Sequence, residues 1–286
     1  SIRGGPLRSI EWELPVSSAQ IKGCLLLAGV AADCAVSLRE PSGRSRDHTE
    51  RLLRSFGYSV IEDSTGWIRF QPTGELEPFD LIVPGDPSSA AFLVGAALLA
   101  ERGELRIVGV GQNPTRTGFL RILERMGARV ETTSRGVVGG EPVGDLFITP
   151  SELQGTLVTP SEVVGVIDEI PMLAVLASRA KGESRFLEVG ELRVKESDRL
   201  SLLAANLRAI GAKAAVEGNN LIIEGSAKPP RGKVITEADH RIAMAFEVLN
   251  AVQGSRVRVD NLECAAVSFP DFSVTVRKIL SKGSTR

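Results

Sequence analysis

The sequence predicts an α/β protein assembled from repeated βαβαββ units. First, the same order of elements recurs about every 70–80 residues along the chain, which is long for a solenoid repeat but suits such a unit. Second, each copy contains an almost wholly apolar helix followed by a short β-branched strand and an amphipathic helix. Third, glycine ends the amphipathic helix in three copies.

The first helix of each copy opens near a small or acidic residue and then remains apolar on every side. Such a helix is typically buried inside a domain, and the β-branched segment after it is typical of a strand. The predicted first helices are residues 18–30, 88–99, 168–177 and 239–252, and the strands are residues 35–38, 105–108, 184–187 and 256–259, with an earlier strand at 10–14.

The second helix of each copy is charged on one side, which predicts a helix at the surface of its domain. After it the pattern predicts a strand or hairpin, clearest at residues 212–224, where Gly218-Asn219-Asn220 suits a turn. Residues 135–144 are predicted to form a loop. The predicted second helices are residues 46–56, 116–126, 196–210 and 270–280, and the glycines that end the first three are Gly57, Gly127 and Gly211.

Composition narrows the classes of function. With 43% hydrophobic and 24% charged residues the chain is an ordinary globular protein, and its net charge of −1 gives no basic field for nucleic acid or an anionic membrane. Apolar runs are too short to span a bilayer, and the chain is predicted to be cytoplasmic. Cys24, Cys34 and Cys264 lack metal-binding spacing, so they are predicted to be reduced core residues, and no metal is expected.

A cluster of two acids and three bases, residues 192–200, stands where an amphipathic helix is predicted to begin. A helix start exposes unpaired N–H groups, so Lys195 and Arg199 there would favour a carboxylate or phosphate. Such a cluster is also typical of a solvated helix end with ion pairs between neighbouring turns. Both interpretations stay open from this cluster alone.

Other predicted helix starts carry polar residues as well. Ser18-Ala19-Gln20 could hold a phosphate, Asp168 could act as a base, and Asp239-His240-Arg241 could bind an anion. Helix capping, or a neutral structural histidine at residue 240, explains each of them equally simply. Arg46 at the start of another predicted helix opposes the helix dipole, which suggests either a salt bridge or a bound anion.

Seven motifs together closely resemble those of the 5-enolpyruvylshikimate-3-phosphate synthase family, and most of all its bacterial, glyphosate-tolerant type. They occur in family order along essentially the whole chain, which makes the resemblance specific. The motifs are Ser18-Ala19-Gln20, Arg46-Asp47-His48-Thr49-Glu50, Pro84-Gly85-Asp86-Pro87-Ser88-Ser89-Ala90-Ala91, Asn113-Pro114-Thr115-Arg116-Thr117-Gly118, Asp168-Glu169, Arg193-Val194-Lys195-Glu196-Ser197-Asp198-Arg199 and Asp239-His240-Arg241-Ile242-Ala243-Met244.

This resemblance implies the inverse α/β fold of the enolpyruvyl transferases, in two domains with the site in the cleft between them. Residues 1–83 would be the C-terminal part of the first, partial domain, and residues 84–286 most of the second. The implied reaction joins the carboxyvinyl group of phosphoenolpyruvate to the 5-hydroxyl of shikimate 3-phosphate, without metal or cofactor, in chorismate biosynthesis. Glyphosate is a further candidate ligand.

The resemblance also assigns site residues. Asp168 would take the proton from the attacking hydroxyl, and Glu196 would deliver a proton to the methylene carbon of phosphoenolpyruvate. His240 would be a supporting residue. Ligands of shikimate 3-phosphate would be Ser18, Ala19, Gln20, Arg46, Asp168 and Lys195, and those of phosphoenolpyruvate would be Gln20, Arg199 and Arg241.

Three alternatives remain beside this interpretation. UDP-N-acetylglucosamine enolpyruvyl transferase shares the fold and the chemistry, but a reactive loop cysteine is expected there, whereas the three cysteines lie in or beside apolar segments. The chain could also be a non-catalytic fragment, or a subunit that needs an N-terminal partner. The family has about another third of a chain ahead of Ser1 with substrate-binding residues, so this chain alone is expected to be inactive. Val267 replaces a lysine that some members carry.

Overall fold

A computed structural model describes residues 4–41, 43–73 and 76–282 of the chain. The outermost residues of the predicted domain ranges, 1–3 and 283–286, therefore lie outside the described residues. Contacts between Cα atoms divide the chain into two compact units. The N-terminal unit comprises residues 1–84 and 135–143, and the C-terminal unit comprises residues 85–134 and 144–286.

The N-terminal unit contains one βαβαββ copy. Its sheet has the order β1-β2-β4-β3, in which β1 and β2 are parallel while β4 runs antiparallel to both β2 and β3. The helices cover one face of this sheet, where Leu26, Leu38 and Phe70 are fully buried. The elements are β1 (Ile10–Glu13), α1 (Ala19–Ala32), β2 (Val36–Arg39), α2 (His48–Ser55), β3 (Ser59–Glu62) and β4 (Trp67–Gln71).

The C-terminal unit continues the same order of elements through three further copies. In the first of them a parallel bridge between Gly85 and Val110 stands in the place of the opening strand. The elements are α3 (Pro87–Leu99), β5 (Leu105–Gly111), α4 (Gly118–Arg125), β6 (Arg129–Val138), β7 (Glu141–Thr149), β8 (Leu157–Val158), α5 (Pro160–Val163), α6 (Ile170–Ala177), β9 (Glu183–Phe186), α7 (Arg199–Ala209), β10 (Lys213–Glu217), β11 (Asn220–Glu224), β12 (Arg231–Val234), α8 (His240–Glu247), β13 (Arg256–Val259) and α9 (Phe272–Lys282), with 3-10 turns at Gly190–Val194, Val248–Ala251 and Glu263–Val267.

Strand pairing is the same from copy to copy. β8 and β9 are parallel, β11 runs antiparallel to β9 and β10, and β12 and β13 are parallel, as β1 and β2 are in the N-terminal unit. The remaining sheet has the order β5-β7-β6. The prediction of an α/β fold built from repeated βαβαββ units is therefore confirmed.

The apolar helices α3, α6 and α8 form the centre of the C-terminal unit, where α6 packs against both of the others. Every residue of α6 is buried. The equally apolar α1 of the N-terminal unit is different, because Leu27 on its surface is 55% exposed. The sheet of a copy can cover its own apolar helix on one side only. The apolar helices of the C-terminal unit are therefore fully buried only because they also pack against one another.

Three local predictions were wrong. Residues 135–144 are not a loop, because they lie in the hairpin of β6 and β7. Two glycines with positive φ, Gly139 at 56° and Gly140 at 79°, make the tight turn that joins these strands. The helix expected from residue 196 begins at Arg199. The cysteines are not core residues, because Cys24 is exposed and Cys34 and Cys264 are only half-buried.

Close backbone packing predicts a large effect of Gly225→Ala. A Cβ at this position would lie 1.8 Å from the carbonyl oxygen of Ala180, which is a backbone atom and cannot turn aside as a flexible side chain could. The substitution should lower the free energy of unfolding by about 1–3 kcal/mol, measured by urea denaturation. Gly165→Ala is the matched control, since its nearest neighbour would be 3.6 Å away. Equal stability of the two variants would contradict this packing.

Candidate active site

Arg199 lies at the centre of the charged cluster in the C-terminal unit, and its side chain is fully buried. Its Nε donates a hydrogen bond to Asp239 Oδ2 at 2.7 Å, and its Nη2 donates one to Glu196 Oε2 at 2.5 Å. Its Nη1 lies 3.9 Å from Asp168 Oδ1. Three carboxylates from different parts of the chain thus converge on one guanidinium.

Local sequence places Arg199 at the start of α7. The side chain of Asp198 caps this helix by accepting a hydrogen bond from the N–H of Ser201, so the helix begins at residue 199. Lys195 and Glu196 therefore precede the helix and follow the 3-10 turn at Gly190–Val194. At this helix start, Asp198 accepts from the N–H of Ser201, and the guanidinium of Arg199 is paired with Asp239 and Glu196.

Asp239 is the buried partner that allows Arg199 to stay charged inside the protein. It caps α8 by accepting hydrogen bonds from the N–H groups of Arg241 and Ile242. Burial acts to raise the pKa of Asp239, but the hydrogen bond and charge of Arg199 and the hydroxyl of Ser197 outweigh it, so the pKa lies below its usual value. A buried ion pair of this kind is costly to break, because either partner would be left as an unpaired charge.

Asp168 and Glu196, the predicted base and acid, have different surroundings. The side chain of Asp168 is 13% exposed, whereas that of Glu196 is 51% exposed. Arg241 Nη2 lies 3.7 Å from Asp168 Oδ2, and its Nη1 donates a hydrogen bond to the Asp168 carbonyl at 3.2 Å. The two carboxylates therefore approach one guanidinium, that of Arg199, but differ in their access to solvent.

Two other predicted residues are placed differently. His240 is 8% exposed, and burial together with the charge of Arg241 lowers its pKa, so its imidazole is neutral at pH 7. Lys195 Nζ contacts Glu191 Oε1 at 2.5 Å across the 3-10 turn. Lys195 is therefore paired with Glu191, although Glu196 is its neighbour in sequence.

A second polar cluster lies next to Asp168 and was missed as part of the site. Glu169 is buried and accepts a hydrogen bond from the hydroxyl of Ser88 in α3. Arg116 donates to the same hydroxyl at 2.5 Å and to Asp86 at 3.1 Å. Burial, the largest effect, raises the pKa of Glu169. The adjacent acids at 168 and 169 ahead of an apolar helix were the available signal.

The N-terminal unit carries the other predicted residues. Ser18 caps α1, with its hydroxyl accepting from the N–H of Ile21, and Ala19 and Gln20 form the first turn. Arg46 is half-buried, two residues before α2. Ser17 Oγ donates to the Gly43 carbonyl at 3.1 Å, which ties the helix start to the segment that contains Arg46.

Within the described ranges, no group of three or more His, Cys, Asp or Glu side chains is arranged to hold a metal ion. None of the helices in that part of the chain combines the length and the apolar character that a membrane crossing requires.

Comparison with known proteins shows the family of this chain. The family model for EPSP synthase (3-phosphoshikimate 1-carboxyvinyltransferase) matches residues 1–276. A 3-phosphoshikimate 1-carboxyvinyltransferase from Geobacter sulfurreducens is 43% identical over 98% of this chain, and one from Caulobacter vibrioides is 42% identical over 97%. The chain belongs to the EPSP synthase family.

Solved structures show the same fold. EPSP synthase from Acinetobacter baumannii matches with a TM-score of 0.87 and 37% identity over 95% of this chain. The enolpyruvyl transferase NikO from Streptomyces tendae matches with a TM-score of 0.68 over 88% of this chain and, at 22% identity, shows the fold alone. The chain spans 65% of the Geobacter relative, 64% of the Caulobacter relative, 62% of the Acinetobacter chain and 57% of the NikO chain.

The raised pKa of Glu169 predicts a pH-dependent effect of Glu169→Gln. A carboxyl with a raised pKa stabilises the folded state fully below its ordinary pKa and loses that contribution as pH rises through the folded-state value. Glutamine does not titrate, so the free energy of unfolding of the variant, relative to that of the natural chain, should rise from pH 4 to pH 9.

Chemical denaturation at a series of pH values measures this difference. Glu183→Gln is the control, because that side chain is 48% exposed and paired with Arg185. A pH-independent difference between Glu169→Gln and the natural chain would contradict burial as the cause.

Proposed function

We propose that this chain supplies the greater part of an enzyme that transfers the carboxyvinyl group of phosphoenolpyruvate to the 5-hydroxyl of shikimate 3-phosphate, with release of phosphate. The observation that carries the proposal is the position of Asp168 and Glu196 around the one guanidinium of Arg199. The family membership of the chain supports the choice of substrates.

The chemistry requires two groups that exchange protons. The hydroxyl oxygen bonds to the central carbon of phosphoenolpyruvate while a base removes its proton and an acid protonates the methylene carbon. A proton then leaves the new methyl group as the carbon–oxygen bond to phosphate breaks, which reverses the roles. We assign the base to Asp168, which is largely buried, and the acid to Glu196, which is half exposed.

Charge around these carboxylates suits anionic substrates. Arg241 is 17% exposed and lies beside Asp168, so its outer N–H groups can meet a carboxylate or a phosphate. Arg199 is fully buried, but its Nη1 makes no hydrogen bond within the described residues, and we assign it to phosphoenolpyruvate through this group. Lys195 would leave Glu191 to contact shikimate 3-phosphate.

The N-terminal unit would bind the phosphate of shikimate 3-phosphate. The start of α1 supplies N–H groups and the hydroxyl of Ser18, and the same unit supplies Gln20 and the cation Arg46. Glyphosate binding and a cytoplasmic location stay predictions from the sequence. We further assign residues 1–83 and 84–286 to the first and second domains of the family.

The N-terminal unit also has an uncovered surface. Trp12 of β1 is 41% exposed, and Leu27 of α1 is 55% exposed. The corresponding helices of the C-terminal unit are buried by one another. We infer that further βαβαββ copies, in the same polypeptide or a separate one, cover α1 in the active enzyme, and that the present chain is inactive without them.

The alternative, UDP-N-acetylglucosamine enolpyruvyl transferase, is not favoured. The family match is to 3-phosphoshikimate 1-carboxyvinyltransferase. Cys264 lies in a 3-10 turn, and burial raises the pKa of its thiol, which disfavours the reactive thiolate.

The proposed function predicts phosphate release only from the completed enzyme. Two samples are compared: the chain alone, and the chain supplied with the part of the Geobacter relative that has no counterpart here. Each is mixed with shikimate 3-phosphate and phosphoenolpyruvate, and the release of inorganic phosphate is measured. We expect release from the completed enzyme alone, because the further copies supply substrate ligands. Full activity of the chain by itself would refute the need for completion, and no activity in either sample would refute the reaction.

Glu196→Gln in the completed enzyme tests the acid. Removing a general acid–base group should lower kcat by about 10²–10⁴-fold, because the methylene carbon would lack its proton donor. Glu183→Gln should leave the rate unchanged, since it neutralises an exposed carboxylate in the same unit. A nearly unchanged rate for Glu196→Gln would remove that residue from the acid role.

A further inference from the structure

Lys22 is a fully buried lysine and the fourth residue of the largely apolar α1. Its Nζ donates a hydrogen bond to Glu40 Oε2 at 3.1 Å and lies 2.8 Å from Glu50 Oε1. The side chains of Glu40 and Glu50 are 5% and 1% exposed. Lys22, Glu40 and Glu50 are called the buried triad below, and nothing in the chemistry assigned above uses it.

The triad joins three elements of the N-terminal unit. Glu40 follows β2 directly, Glu50 lies in the first turn of α2, and Lys22 anchors both to α1. Glu40 Oε2 also accepts a hydrogen bond from the backbone N–H of Ser45 at 3.0 Å. Through Glu40, the ammonium group of Lys22 therefore holds the backbone one residue before Arg46.

Further contacts hold the same segment on its other side. Asp47 is fully buried and accepts hydrogen bonds from Arg51 at 2.8 Å and from Arg44 at 3.0 Å. α1 and α2 approach closely, because a Cβ on Gly23 would lie 2.9 Å from Thr49 Oγ1. The backbone on both sides of Arg46 is thus fixed relative to the first turns of α1.

Stability alone gives a weak reason for a buried triad. Moving three charges out of water costs several kcal/mol for each ion, and apolar residues of similar volume are often as stabilising. A buried ion pair does specify one arrangement, because any other leaves a charge unpaired. The triad sits where two proposed phosphate ligands, the start of α1 and Arg46, must keep a fixed separation.

We infer that Lys22 is a positioning residue that sets the affinity for the phosphate group of shikimate 3-phosphate by fixing Arg46 against the start of α1. This inference rests on the proposed function for its ligand, but the positioning itself belongs to the N-terminal unit and is measurable without substrate. Loss of the ammonium group would release Glu40 and, with it, the N–H of Ser45.

Hydrogen exchange tests the positioning. Lys22→Met keeps the apolar stem and removes the charge, and we expect amide exchange at residues 43–47 and 19–23 to rise about tenfold or more while the strands β3 and β4 keep their protection. Lys22→Arg retains a cation and should restore most of the protection. Val60→Ala is the matched control, because this buried β3 residue lies outside the triad and should raise exchange throughout the unit.

The pattern of exchange decides between positioning and general stability. A uniform rise throughout the N-terminal unit in Lys22→Met, like that of Val60→Ala, would overturn the inference. Unchanged exchange at residues 43–47 would overturn it as well. A rise confined to those residues and the start of α1, with rescue by Lys22→Arg, would support it.

Substrate kinetics in the completed enzyme test the consequence. A misplaced arginine loses a charge-assisted hydrogen bond, so Lys22→Met should raise KM for shikimate 3-phosphate about tenfold or more. kcat should stay within about twofold, because the proposed base and acid, Asp168 and Glu196, belong to the other unit. KM for phosphoenolpyruvate should rise less than KM for shikimate 3-phosphate, because two of its three assigned ligands, Arg199 and Arg241, also belong to the other unit. Equal KM values for natural and variant enzymes would overturn the inference. If the natural enzyme releases no phosphate, the proposed function fails, and the exchange experiment still decides the role of Lys22.

Discussion

The buried guanidinium of Arg199 is the interaction on which the arrangement of the C-terminal unit's polar cluster depends. It has no access to water, so protein carboxylates must balance its charge. Asp239 does so from the cap of α8, and Glu196 does so from the segment ahead of α7. The same group approaches Asp168, and the start of α7 is thereby joined to the starts of α6 and α8. One side chain thereby meets a structural requirement and, in the proposed function, a chemical one.

Repetition explains why polar groups gather at helix starts in a unit with so apolar a centre. The middle and later turns of α3, α6 and α8 cover one another, so they admit apolar side chains almost exclusively. Their first turns still have N–H groups that need acceptors. Two of them use acidic caps that are also paired with an arginine, Asp86 with Arg116 and Asp239 with Arg199. The capping groups and the groups proposed to bind anions thus occupy the same helix starts.

Periodic patterns predicted most of the helices and strands because those patterns depend on residues within a few positions of one another. The apolar helices at 88–99 and 170–177 and the hairpin at 213–224 follow directly from such patterns. The prediction failed at the β6–β7 hairpin, because the residues of β6 are almost all exposed and mostly polar, so no apolar alternation marks that strand. The prediction that Cys24 lies in the core also failed, because an apolar helix such as α1 is buried on all sides only if another copy covers it.

By itself, the sequence determined the repeated fold, the family and the identity of most charged residues in the candidate site. Tertiary structure decided which of them meet. Arg199 and Asp239 are 40 residues apart, Lys22 and Glu40 are 18 apart, and Ser88 and Glu169 are 81 apart, so no local spacing identifies them as partners. Each pair forms because packing of the helices removes water from both groups, and that desolvation is a property of the folded copies together.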